Sequence, residues 1–157
     1  MAPAGTRQAG LTLHKIGDLK RYFEGAWTVE RTVRDRRAAS DGTFRGEATF
    51  MPTREGLRYD ETGRLELPGY TDDVSRCYRW IIDDPHRAAI LFEDGRPFHA
   101  LDLTNGEDRV RHLCGDDVYD GIYAVEDDGN WQLAWRIEGP RKSLLIESRY
   151  TRRQRSP

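Results

Sequence analysis

At 157 residues the chain suits one domain, long enough to bury roughly 70% of its unfolded surface, with 37% hydrophobic and 33% charged residues. A formal net charge of −2 excludes a global electrostatic field for nucleic acid or an anionic membrane, and no stretch reaches transmembrane length. The basic segments 31–37 and 149–155 read as solvated strand faces and a tail.

Residues 1–14 are rich in Ala, Gly, Pro and Thr, which predicts a disordered tail before a domain over 15–153. They hold no apolar run of signal-peptide length. The two cysteines, Cys77 and Cys114, are expected on opposite sides of the sheet and therefore unbridged. Together these features predict a cytoplasmic setting.

Ile16, Leu19, Tyr22 and Phe23 recur at helical spacing, predicting a short helix that ends near Gly25 and plugs one end of a sheet. From there the period is 2. Trp27, Val29 and Val33 form the apolar side of a first strand, and Phe44, Gly46, Ala48 and Phe50 that of a second. Leu57, Tyr59, Leu65 and Leu67 follow in a third, where Gly63 suggests a bend or bulge. The polar stretch 68–73 reads as the longest loop and a candidate lid. Tyr78, Trp80 and Ile82 share one side of a fourth strand, and Ala88, Ile90 and Phe92 one side of a fifth. Further strands are predicted over 98–103, 109–114, 119–125, 131–138 and 143–151, with Gly, Asn, Asp or Pro at every boundary. About 8–10 short strands with hairpin-length connections predict an all-β, single antiparallel up-and-down barrel, since closure removes two unprotected edges.

The segment Phe23-Glu24-Gly25-Ala26-Trp27 resembles the Gly-x-Trp opening of the calycin superfamily, which includes lipocalins, fatty-acid-binding proteins and nitrobindins. The resemblance covers 16–152. It implies a barrel floor sealed by Trp27, with a basic residue of the last strand, Arg149 or Arg152, packed over the indole. The stretches His-x-Cys-x-x-Asp-x-Tyr at 112–119 and Trp-x-x-x-Gly-Pro-Arg-Lys at 135–142 also resemble a small calycin-like bacterial and fungal family of uncharacterised function. The sequence alone places no internal Arg-x-Tyr carboxylate clamp of the fatty-acid-binding type.

Parity then collects a polar cluster. If Leu103 pairs with Val110, His99 faces Cys114. Pairing Cys114 with Tyr119 places His112 opposite Gly121. Beyond these, Gly121 faces Trp135, Tyr119 faces Ile137, Ile137 faces Leu144 and Trp135 faces Ile146. Odd strands leave the Trp27 floor upward, so His99, Cys114, Tyr119 and the 141–142 turn gather at the other end. The expected partner is a small apolar or aromatic molecule held in this cup, not nucleic acid or a membrane. Tyr59, Trp80, Trp135 and Tyr123 supply walls, and His99, His112, Cys114, Tyr119 and Lys142 supply polar contacts. The alternative is an enzyme in the same cup, with His112 or His99 as base and Tyr119 as acid. Haem or metal binding ranks below both; no metal-ligand spacing is present, and the sequence specifies no cofactor.

Overall fold

The structure is a computed structural model that describes residues 13–153. The expected tail lies outside these residues except for Leu13 and His14, and the His14 amide donates to the Val125 carbonyl at 3.0 Å. One short helix, α1 (Leu19–Phe23), precedes ten strands. These are β1 (Gly25–Asp35), β2 (Ser40–Pro52), β3 (Gly56–Leu67), β4 (Tyr70–Asp84), β5 (Arg87–Phe92), β6 (Pro97–Asp102), β7 (Glu107–Cys114), β8 (Asp117–Asp127), β9 (Asn130–Glu138) and β10 (Ser143–Arg152).

All ladders are antiparallel, and the spatial order is β6-β5-β4-β3-β2-β1-β10-β9-β8-β7. Every link but one is a hairpin; the exception joins the first strand to the last. The sheet curls until β6 and β7 lie side by side without a backbone ladder. Side chains bridge that seam instead: His112 Nδ1–H donates to the Phe98 carbonyl at 2.9 Å, and Asp108 accepts from the Asp102 amide at 2.8 Å. The molecule is an almost closed ten-strand barrel.

The floor forms where period 3.6 meets period 2. Asp18 caps α1 by accepting from the Arg21 amide at 3.0 Å, satisfying a donor the first turn leaves free. Gly25 follows with φ 121°, which a residue bearing a Cβ tolerates poorly. The chain thereby turns from helix into β1 and buries Phe23 and Trp27 completely. The Trp27 indole N–H donates to the Phe23 carbonyl at 2.8 Å, and Phe23 packs on Phe50, Trp80 and Trp131. Arg152, not Arg149, lies over Trp27, its guanidinium carbon 4.3 Å from the ring centroid. It is held there by hydrogen bonds to the Tyr22 and Asp128 carbonyls.

Three expectations change. The stretch 68–73 is no lid: Leu67 pairs with Tyr70, so the connection is Pro68-Gly69 and the hairpin is continuous. Its strands project beyond the rim, where both faces meet water, and polar residues therefore occupy both parities. Gly63 makes no bulge either. It pairs in register with Gly46, and a Cβ at either position would strike the Phe44 ring and the opposite backbone. Finally, segment 31–37 is not all solvated, because Arg31 turns inward.

Candidate functional site

Inside the barrel lies a chamber of about 240 Å³. It opens through a throat lined by Arg76, Tyr78, Phe98, Trp135 and Ile146 into a mouth of about 860 Å³. The mouth lies at the end opposite Trp27, as the strand directions require.

The lower walls are aromatic. Trp131 stacks flat on Tyr150, with centroids 3.7 Å apart, and lies parallel to Tyr123. At the throat, Phe98 stacks between Tyr78 and Trp135 at 5.4 and 5.3 Å. Gly121 makes room for Trp135: a Cβ there would sit 2.6 Å from the indole ring.

One wall carries a polar ring that sequence reasoning missed. Arg31 on β1 donates to both oxygens of Glu61 on β3, at 2.8 and 2.7 Å. Side-chain exposures of 9% and 3% make this a buried ion pair. The same guanidinium donates to the Ser148 hydroxyl at 2.7 Å and to Tyr150 at 3.2 Å, both on β10. The Tyr59 hydroxyl donates to Glu61, so in the 2.9 Å contact between the two phenols Tyr150 is the donor. The circuit runs Arg31 to Tyr150 to Tyr59 to Glu61 and back to Arg31, leaving no member unpaired. Among the described residues, Trp131 Nε1 is the buried side-chain polar atom without a partner.

The electrostatics follow from burial and pairing. Burial works against the Glu61 charge, but the Arg31 hydrogen bonds and charge, with help from Arg76, hold its carboxyl below the ordinary range. Burial pushes both Tyr59 and Tyr150 upward, keeping the phenols protonated. A signal for this ring exists in the sequence. Arg31, Glu61 and Ser148 each occupy the inward parity of an otherwise apolar strand face, set by Val29 and Val33, Tyr59 and Leu65, and Ile146 and Tyr150.

Of the residues singled out from sequence, Tyr59, Trp80, Tyr123 and Trp135 line the chamber. His112, Cys114 and Tyr119 line the mouth. His99 lines neither. It packs inside, with Nδ1–H donating to the Ala100 carbonyl at 2.9 Å. That tautomer leaves Nε2 to accept from the Tyr123 hydroxyl at 3.0 Å. Burial lowers its pKa, assisted by His112 and partly offset by the Ala100 contact.

His99 does not face Cys114, because β6 and β7 form no ladder. The 115–116 turn is also tighter than expected. Gly115 adopts φ 60°, which permits a two-residue hairpin, so Cys114 pairs with Asp117 and His112 with Tyr119. The shift is two residues, so parity survives; the rings of His112 and Tyr119 lie 5.8 Å apart. Gly121 opposite Trp135, Tyr119 opposite Ile137, Ile137 opposite Leu144 and Trp135 opposite Ile146 are as expected. Cys114 is exposed at the rim, and Cys77 is half-buried; both are free. Burial, with Asp60 nearby, raises the Cys77 thiol to about 11. Lys142 stands outside the cavity lining and faces Asp117 at 3.6 Å.

An aromatic floor capped by a last-strand arginine, beneath an up-and-down barrel with a hollow upper half, defines a calycin-like β-barrel. Three solved structures share the fold. An S-type phycobiliprotein lyase, CPES from Guillardia theta, aligns with TM-score 0.61 at 8% identity, covering 87% of this chain and 92% of that one. A protein of unknown function from the DUF3598 family of Nostoc punctiforme aligns with TM-score 0.61 at 9% identity; 92% of this chain spans 53% of that one. Rv2717c from M. tuberculosis aligns with TM-score 0.51 at 10% identity, covering 98% and 99%. Comparison with curated proteins finds no match. Residues 23–152 match a family described as a family of unknown function (DUF6314), and the chain belongs to that family.

Proposed function

We propose that the protein binds a small, largely aromatic molecule inside the barrel. The observation that carries this reading is the hollow itself. A packed barrel would close over its core, whereas here an aromatic-walled chamber connects to the mouth around polar groups already satisfied by one another. The ring of Arg31, Glu61, Tyr59 and Tyr150 is preorganised, so a ligand meets fixed dipoles without first having to order them. His112 and Tyr119 at the mouth are positioned to contact the outer part of the molecule. Among the described residues no carboxylate hydrogen-bonds to His112; its Nδ1–H is held by the Phe98 carbonyl. No described helix is long and apolar enough to cross a membrane, and the two free thiols fit a reducing, cytoplasmic setting.

The test is a thermal-shift screen with planar aromatic compounds, neutral and charged, on the wild type and on Ile146→Trp, which fills the throat. Binding raises the melting temperature of the wild type by mass action, about 2.7 kcal/mol of stabilisation at one hundred times Kd. The shift vanishes in Ile146→Trp. A screen in which no compound stabilises the wild type more than the filled variant refutes the binding reading.

A further inference from the structure

We infer that the ligand is a planar aromatic monoanion, its acid group received by Arg76 at the throat. This rests on the binding reading above and names the chemistry of that site. The argument is a charge count. Two guanidiniums, Arg31 and Arg76, face the chamber against one carboxylate, Glu61. Arg31 takes both Glu61 oxygens in a bidentate pair and spends its remaining contacts on Ser148 and Tyr150. Glu61 is thereby neutralised, and the charge left over belongs to Arg76.

Arg76 is held loosely. Its Nε stands 3.5 Å from Glu61, and its closest phenolic contact, to Tyr78, is 3.4 Å. Its side chain is 54% exposed, and among the described residues neither hydrogen of its second terminal nitrogen has an acceptor. A guanidinium with free donors recognises a planar oxyanion in two-point fashion. Arg96, the other guanidinium in the mouth lining, pairs with Asp94 at 2.8 Å, and Lys142 outside the lining faces Asp117. Within the chamber the charged groups facing Arg76 are Glu61, already paired, and Arg31, which repels it; on the outer side it shares a groove with Glu93 and Asp94, which pair with Arg58 and Arg96. An incoming anion relieves that repulsion. The near-parallel rings of Tyr78, Phe98 and Trp135 beside it favour a flat body over a flexible aliphatic chain.

The experiment measures calorimetric Kd values for three probes with one aromatic body: 2-naphthoate, 2-naphthamide and 2-naphthylmethylamine. In the wild type, naphthoate binds at least about tenfold tighter than the amide, and the amine binds weakest. In Arg76→Gln the carboxylate preference falls to about one because naphthoate loses far more affinity than the amide, and Arg76→Lys restores part of it. Residual amide binding together with a cooperative thermal unfolding transition shows that the variant is folded and its cup intact. Equal wild-type affinity for carboxylate and amide, or a preference that survives Arg76→Gln, overturns the anion assignment and leaves the binding reading standing. Binding of none of the three overturns the assignment, while the wider aromatic screen with Ile146→Trp decides the binding reading separately.

Discussion

Glu61 and Arg31 hold one another inside a hydrocarbon wall, and removing one partner leaves the other's charge buried. Glu61→Gln is expected to cost about 3–5 kcal/mol in urea denaturation, whereas Arg31→Met combined with Glu61→Leu recovers part of that loss. The sign with pH follows from the lowered carboxyl. Its stabilisation is full above the unfolded value of about 4.3 and is lost as pH falls through the folded value, so Glu61→Gln flattens the acid limb. His99 acts in a higher window. Its pKa is lowered in the folded state, so stability is full above about 6.5 and declines below it, by at most about 1.4 kcal/mol per pH unit. His99→Gln should show a shallower fall in melting temperature between about pH 7 and 5. An unchanged slope would show that His99 is not held neutral. These residues were readable in the sequence to different degrees. His99 has the inward parity, and its imidazole marks it by its chemistry. Arg31 and Glu61 have the same parity, but lie in charged runs where alternation suggests solvent; only the partner two strands away on the same wall explains them, and that partner is remote in sequence.

At the scale of elements, the hairpins were legible because strand periodicity and turn residues agree at nearly every boundary. Legibility failed where the physics changes along a strand. Beyond the rim both faces are wet, so the start of β4 mimics a loop and Cys114 takes inward parity without burial. It failed again at the β6–β7 seam, because register reasoning assumes a ladder and no residue announces its absence. That seam carries its own prediction. Bridged through His112 and Asp108 rather than by a ladder, β6 and β7 should open more readily than the central strands. In hydrogen–deuterium exchange their outward-edge amides should exchange about tenfold or more faster than those of β1 and β2. Equal protection would mean that the barrel is closed by backbone pairing in solution.

Across the whole molecule, the division of labour runs along the barrel axis. The lower half is filled by Phe23, Trp27, Phe50 and Trp131, with Arg152 over the floor, so stability is concentrated there. The upper half is hollow. A second asymmetry runs across the axis. The circuit of Arg31, Tyr59, Glu61 and Tyr150 belongs to β1, β3 and β10, while the facing side presents Phe98 of β6 and Tyr123 of β8. A rigid guest of the kind proposed would meet hydroxyls and charge on one side and ring faces and aliphatic side chains on the other, and could not roll over without forfeiting one set. On the binding reading proposed above, positional isomers of identical formula, differing only in which carbon bears the substituent, should bind with different affinities.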